Sequence, residues 1–85
     1  MPKIFVLDVP EFSALVNQAR SEAGLQVDGP HLGYWRIRSS GRPLEFRRKD
    51  LGVKPAVWHG ALTGGLVGRI THFDNERLCI EDAAS

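Results

Sequence analysis

The residues of this 85-residue chain that could do chemistry are three histidines, one cysteine and a crowd of arginines in its middle. The cationic pattern is the strongest. Residues 31–54 hold seven Lys and Arg (Arg36, Arg38, Arg42, Arg47, Arg48, Lys49 and Lys54) against Glu45 and Asp50, a net charge of +5. Residues 1–30 and 55–85 each carry a net charge of −2. An overall charge of +1 therefore hides a basic centre between acidic ends. Local charge of one sign concentrates partners of the other, which makes an anionic partner the leading functional expectation.

Alternation decides which of these cations share a face. Tyr34–Ser39 and Leu44–Lys49 read as two strands of one hairpin, joined by Ser40-Gly41-Arg42-Pro43. With Trp35, Ile37, Leu44 and Phe46 turned to the core, the opposite face shows Tyr34, Arg36, Arg38, Arg47 and Lys49, with Glu45 as its one acid. Arg42 at the tip and Arg48 near the strand end widen the patch. Guanidinium groups fork onto phosphate oxygens and a tyrosine ring can stack on a base, so single-stranded nucleic acid is the sharper form of the expectation. The same face also suits a subunit interface in which basic and acidic patches pair between chains. It equally suits a solvated strand face whose charges block edge-to-edge aggregation.

The conventional reactive set is thinner. His31, His59, His72 and Cys79 show no HxH, HxxxH or CxxC spacing, so neither a metal site nor a cofactor is expected. A last hairpin with Asn75-Glu76 at its tip pairs Phe73 with Leu78 and sets His72 opposite Cys79, where a thiol of lowered pKa would be nucleophilic. Cys79 as a small packing residue is the alternative, and no catalytic residue is assigned. Thr63-Gly64-Gly65-Leu66-Val67-Gly68 matches neither GxxxxGK[ST] nor GxGxxG. It predicts a turn plus a bulge or a close backbone approach.

Two resemblances attach to these segments. Gly65-Leu66-Val67-Gly68-Arg69-Ile70-Thr71-His72-Phe73-Asp74 through Leu78-Cys79-Ile80-Glu81-Asp82 resembles the first motif of the Sm-like RNA-binding family, with a turn one residue shorter and no counterpart for that family's asparagine. The resemblance implies a curved antiparallel sheet, and none of the family's RNA-contacting residues is carried over. Pro2, leading into a strand and then a helix, resembles the start of the tautomerase superfamily. That likeness implies a general base at Pro2 once Met1 is removed, with Arg36 or Arg38 as the nearby cation.

The elements that must position these groups follow from hydrophobic spacing. Lys3–Leu7 reads as a buried strand. Asp8-Val9-Pro10-Glu11 reads as a helix start, with Asp8 as cap and Glu11 closing a capping box. Val9, Phe12, Leu15, Val16, Ala19 and Ala23 then form one apolar stripe, ended by Gly24. Asp28-Gly29-Pro30 makes 25–32 a loop. Ala56–Leu62 and Leu66–Phe73 are expected as strands of a meander, although Pro55 would also suit the start of a short helix. Trp58, beside small residues, is either a core anchor or a pocket wall.

The fold expected is α+β in a single domain spanning 1–85, with 83–85 frayed. One amphipathic helix packs on a curved antiparallel sheet of five or six strands, as a small roll or partial barrel. One cysteine excludes an internal disulfide, and a chain this short buries only about 60–65% of its unfolded surface, so self-association is expected. No run approaches the ~20 apolar residues that span a bilayer, and the start lacks a secretory signal, so the expected location is cytoplasmic. The expected function is a non-enzymatic, self-associating binding module whose basic hairpin (34–49) engages an anionic partner. A structural homo-oligomer subunit and a tautomerase-like enzyme are the alternatives.

Overall fold

The computed structural model describes residues 2–60 and 64–82. The expectations for Met1, for Ala61, Leu62 and Thr63, and for 83–85 lie outside the described residues. The order of elements is β1 (Lys3–Leu7), a 3₁₀ turn (Pro10–Phe12), α1 (Ser13–Ser21), β2 (Leu25–His31), β3 (Tyr34–Ser39) and β4 (Leu44–Arg47), then α2 (Arg48–Leu51), α3 (Pro55–Gly60), β5 (Leu66–Val67), β6 (Arg69–Phe73) and β7 (Arg77–Glu81). Among the described residues, no helix is long and apolar enough to cross a membrane.

The class is α+β, but the strands form two antiparallel sheets rather than one curved sheet of five or six. One sheet runs β2-β3-β1-β5 and the other β4-β7-β6. Neither closes into a barrel. A single apolar cluster joins them. Ile4, Val6 and Ile37 of the first sheet meet Leu44, Phe46, Leu78 and Ile80 of the second, with Leu15, Val16, Ala19, Leu51 and Trp58 supplied by the helices. The Cα radius of gyration of 11.6 Å is close to the ~12 Å expected for one packed unit of this length.

The hairpin expected at 34–49 does not form. β3 is a central strand whose two edges are already occupied, by β1 (Ile4 opposite Ile37) and by β2 (Val27 opposite Ile37). No edge is left for β4, which crosses to the other sheet and pairs with β7 instead. Lys49 is also outside a strand. It lies in α2, which stops at Gly52 (φ +67).

Three further readings change. Leu25–His31 is an edge strand, not a loop. Its irregularity between Asp28 and His31 absorbs Gly29 and Pro30, and Leu32-Gly33, both at positive φ, turns it into β3. Residues 56–60 are helical, as Pro55 allows, and the helix buries Trp58. Gly60 falls at its end, where the helix-breaking cost of glycine is small. Asp8 does not cap the helix; its Oδ1 accepts from Trp35 Nε1 at 3.0 Å, and the chain enters α1 through the 3₁₀ turn.

The glycine-rich segment works as a corner. Gly68, at φ +134, separates β5 from β6 and carries the chain from one sheet to the other. A Cβ there would lie 2.6 Å from the backbone oxygen of Glu81 and 2.8 Å from Ile80 Cγ2. The close backbone approach expected of this stretch is therefore present.

Candidate anion-binding groove

The candidate residues Tyr34, Arg36, Arg38, Arg42, Arg47 and Lys49 are parted by the crossing between sheets. On the first sheet, Arg36 donates from Nε and Nη2 to Asp28 Oδ2 at 3.3 and 3.0 Å, and Arg38 Nε lies 3.6 Å from the same oxygen. Two guanidinium groups thus share one carboxylate from the neighbouring strand. Tyr34 stands at the end of this sheet with Arg36, Asp28, His31 and Phe5 around a cavity of about 290 Å³. Arg42, in the crossing loop, pairs with Glu22 at 3.4 Å. These half-exposed pairs contribute only about 0–1 kcal/mol each to stability, yet they engage three of the seven cations of the basic centre.

Arg47 and Lys49 go elsewhere. They line a groove of about 860 Å³ between α2 and the β6–β7 turn, together with Arg48, Gly52, Val53, His72, Asp74, Glu76 and Arg77. The groove floor begins on the outer face of the second sheet. Phe46 and Leu78 are opposite each other on its core side, so their neighbours Arg47 and Arg77 are opposite each other on its solvent side. Glu45 joins them loosely, its Oε1 3.9 Å from Arg47 Nε and its Oε2 3.8 Å from Arg77 Nε. Arg77 Nε is shielded from solvent and has no hydrogen-bond partner. Arg38 Nε is in the same condition beside Asp28.

The rim of the groove is rigidly built. Asp74 Oδ1 accepts from the backbone N–H of Glu76 and of Arg77, both at 2.8 Å, which closes the β6–β7 turn. These two bonds, with a third contact from His72 Nε2 to Asp74 Oδ2 at 2.7 Å, hold the Asp74 carboxyl down to a pKa of about 2. Trp58 Nε1 donates to the Asp74 carbonyl at 2.6 Å, and His59 Nε2 meets Asn75 Oδ1 at 2.6 Å. Arg48 donates from Nε to the Asn75 carbonyl and from Nη1 to Val53 O at 3.1 Å, while its own backbone N–H bonds Glu76 O. Arg48 thus ties α2 to the turn. Its guanidinium is a structural clamp more than a free cation.

The other candidates resolve as follows. His72 is opposite Cys79 and Phe73 opposite Leu78, the register expected from the sequence. The His72 Nε2 atom is turned to Asp74, however, and Cys79 lines a different hollow with Glu22, Arg42 and Glu45. The structure does not assemble a thiol–imidazole pair. Pro2 is buried, its carbonyl accepts from Ser39 N–H at 3.1 Å, and its ring lies beside Gly68. Burial withdraws it from the surface, and Asp28 holds Arg36 and Arg38, the cations expected beside it. Trp58 is a core anchor, 1% exposed.

Arg77 is the groove residue that the sequence reading missed. Its place on the solvent face follows from the Phe73–Leu78 register, but its meeting with Arg47 depends on β4 pairing with β7 across 29 intervening residues of chain. No protein-family model matches the chain, and no curated protein matches it in sequence.

Proposed function

We propose that this protein is a non-enzymatic cytoplasmic binding module whose groove, rather than a hairpin, engages an anionic polymer such as single-stranded nucleic acid. The observation that carries this reading is the convergence of Arg47, Lys49 and Arg77 on one open groove, where among the described residues only Glu45 approaches the two arginines, at 3.9 and 3.8 Å. Asp74 and Glu76 also stand on the rim, but Asp74 is engaged by the turn and by His72. Cations held open on a rigid floor suit phosphate contacts, which give affinity and register without reading sequence. Tyr34, the ring that would stack a base, is on the other sheet, so the contacts proposed are to phosphates.

Self-association belongs to the same proposal, because a core of this size gains from a partner. Pairing of basic and acidic patches between chains has less support. Arg36, Arg38 and Arg42 already find Asp28 and Glu22 within the chain.

The test is fluorescence anisotropy of a labelled single-stranded oligonucleotide, with wild type, an R47Q/K49Q/R77Q variant and an R36Q/R38Q variant. The groove variant is expected to lose binding while keeping its fold, and the Asp28-side variant to bind as wild type does. Binding unchanged in the groove variant would refute the proposal.

A further inference from the structure

We infer that Arg47 and Arg77 form a clamp for one phosphate group, with Glu45 standing where that phosphate binds. The inference rests on the groove being the binding face, and it names the chemical group that the groove recognises.

Three features of the second sheet carry it. First, Arg47 and Arg77 are direct cross-strand neighbours on the same face, and like charges so placed repel. Such a pair calls for an anion between its members. Second, the anion the chain supplies is a poor fit. Each Glu45 oxygen faces one guanidinium, but at 3.9 and 3.8 Å the contacts are ion pairs beyond hydrogen-bonding distance. Among the described residues neither guanidinium makes a hydrogen bond, so both forks keep their N–H donors for another acceptor. Third, Arg77 Nε is already withdrawn from water and unbonded. A shielded donor without a partner is costly, and an oxyanion that takes the place of Glu45 beside it supplies the missing charge-assisted bond.

Glu45 explains both the need and the control. Its carboxylate offers two oxygens across a short bite, whereas a tetrahedral phosphate presents oxygens in more directions and carries at least as much charge. A phosphate entering from the groove displaces a loose carboxylate and accepts from two forks. Lys49, on the same groove wall, adds a point charge without directional demand. Glu45 and Arg47 also line a second hollow, in which Glu22, Glu45 and Asp50 outnumber Arg42 and Arg47.

The phosphate could belong to a polymer backbone or to a small molecule, and the experiment separates the two. The full-length chain, labelled with ¹⁵N, is titrated at constant ionic strength with inorganic phosphate and, separately, with a short oligothymidylate lacking terminal phosphates. The Arg Nε–Hε resonances are followed. The clamp predicts saturable shifts at Arg47 and Arg77, with Arg36 and Arg38 stationary. R77K, which keeps the charge and loses the fork, is expected to weaken phosphate binding about tenfold, and E45Q to tighten it about threefold. R47K gives the same test should R77K fail to fold.

Shifts at Arg77 absent from both titrations overturn the clamp. So does undiminished binding of both probes by R47K and R77K; if the oligonucleotide still binds, the groove proposal itself stands. Phosphate seated on Arg47 and Arg77 with no oligonucleotide binding supports the clamp, assigns it to a small phosphorylated ligand, and overturns the polymer reading.

Discussion

Replacing Gly68 by alanine tests the corner that brings β6, and with it His72 and the Asp74 turn, to the groove. Two costs add at this position. A φ of +134 is a region that residues with a Cβ rarely adopt, and holding one there costs about 1–2 kcal/mol. The new Cβ would also lie 2.6 Å from the Glu81 backbone oxygen and 2.8 Å from Ile80 Cγ2. Neither neighbour is the far end of a flexible side chain. Relief requires the β6–β7 ladder to shift where Arg69 faces Glu81, and overpacking of that kind costs about 1–3 kcal/mol. The sum is about 3 kcal/mol, against a total stability of about 4–13 kcal/mol for a chain of this length.

Gly41 supplies the control. It has φ +78 and nothing within 4 Å of a built Cβ, so G41A carries the dihedral cost alone. Alanine also restricts the unfolded chain, which offsets part of that cost, and G41A should lose no more than about 1 kcal/mol. Urea denaturation followed by circular dichroism measures both variants. The expected gap between them is about 2 kcal/mol, and G68A should melt roughly 12–24 °C below wild type. Equal stabilities for G68A and G41A would show that the chain does not pass Glu81 as closely as the corner demands.

Two more perturbations read the turn that rims the groove. Asp74 has a folded-state pKa of about 2 against an ordinary 3.8, so its ionised form favours the native state. That stabilisation is complete above the ordinary value and is lost as pH falls through the folded one. The urea midpoint of wild type should therefore approach that of D74N between about pH 4 and 2, and a gap that stays constant across the window would refute the assignment. Trp58→Phe removes the donor to the Asp74 carbonyl and leaves a small void in the core, which together cost about 2–3 kcal/mol. A loss under about 0.5 kcal/mol in the same assay would mean that the indole does not anchor the turn.

Legibility in the sequence followed the range of the interactions. β1 and the buried stripe of Leu15, Val16 and Ala19 depend on spacing within a few residues and were readable. So was the Phe73–Leu78 register, because a short turn sets it. Asp28-Gly29-Pro30 looked like a loop since local turn chemistry was its only visible feature. An edge strand tolerates those residues, because one side of it needs no ladder partner. In 55–60 the glycines outweighed Pro55, although the nearest of them falls at the helix end. The largest difference between expectation and fold is non-local. Nothing within 34–49 reveals that β1 and β2 already occupy both edges of β3. The pairing of Arg47 with Arg77 was hidden for the same reason.

The separation of β4 from β3 bears directly on how the protein would meet a polyanion. Were 34–49 a hairpin, Tyr34 aside, Arg36, Arg38, Arg42, Arg47 and Lys49 would form one surface of like charge. The fold instead gives Asp28 and Glu22, acids of the N-terminal third, to the first three, and leaves Arg47 and Lys49 to be joined by Arg77 from the C-terminal hairpin. Two acids thus offset part of the basic centre's excess charge within the chain. The salt dependence of binding counts what is left. Three phosphates neutralised on a single strand give a slope of about −2.1 in log–log form, roughly a twentyfold loss between about 50 and 200 mM salt. Five cations acting together would give about −3.5 and a loss above a hundredfold. A measured slope near −2 that falls by about 0.7 for each groove cation removed would locate binding in the groove. A slope near −3.5 that also responds to R36Q and R38Q would mean that the ligand pulls those arginines away from Asp28, and that both sheets form the binding surface.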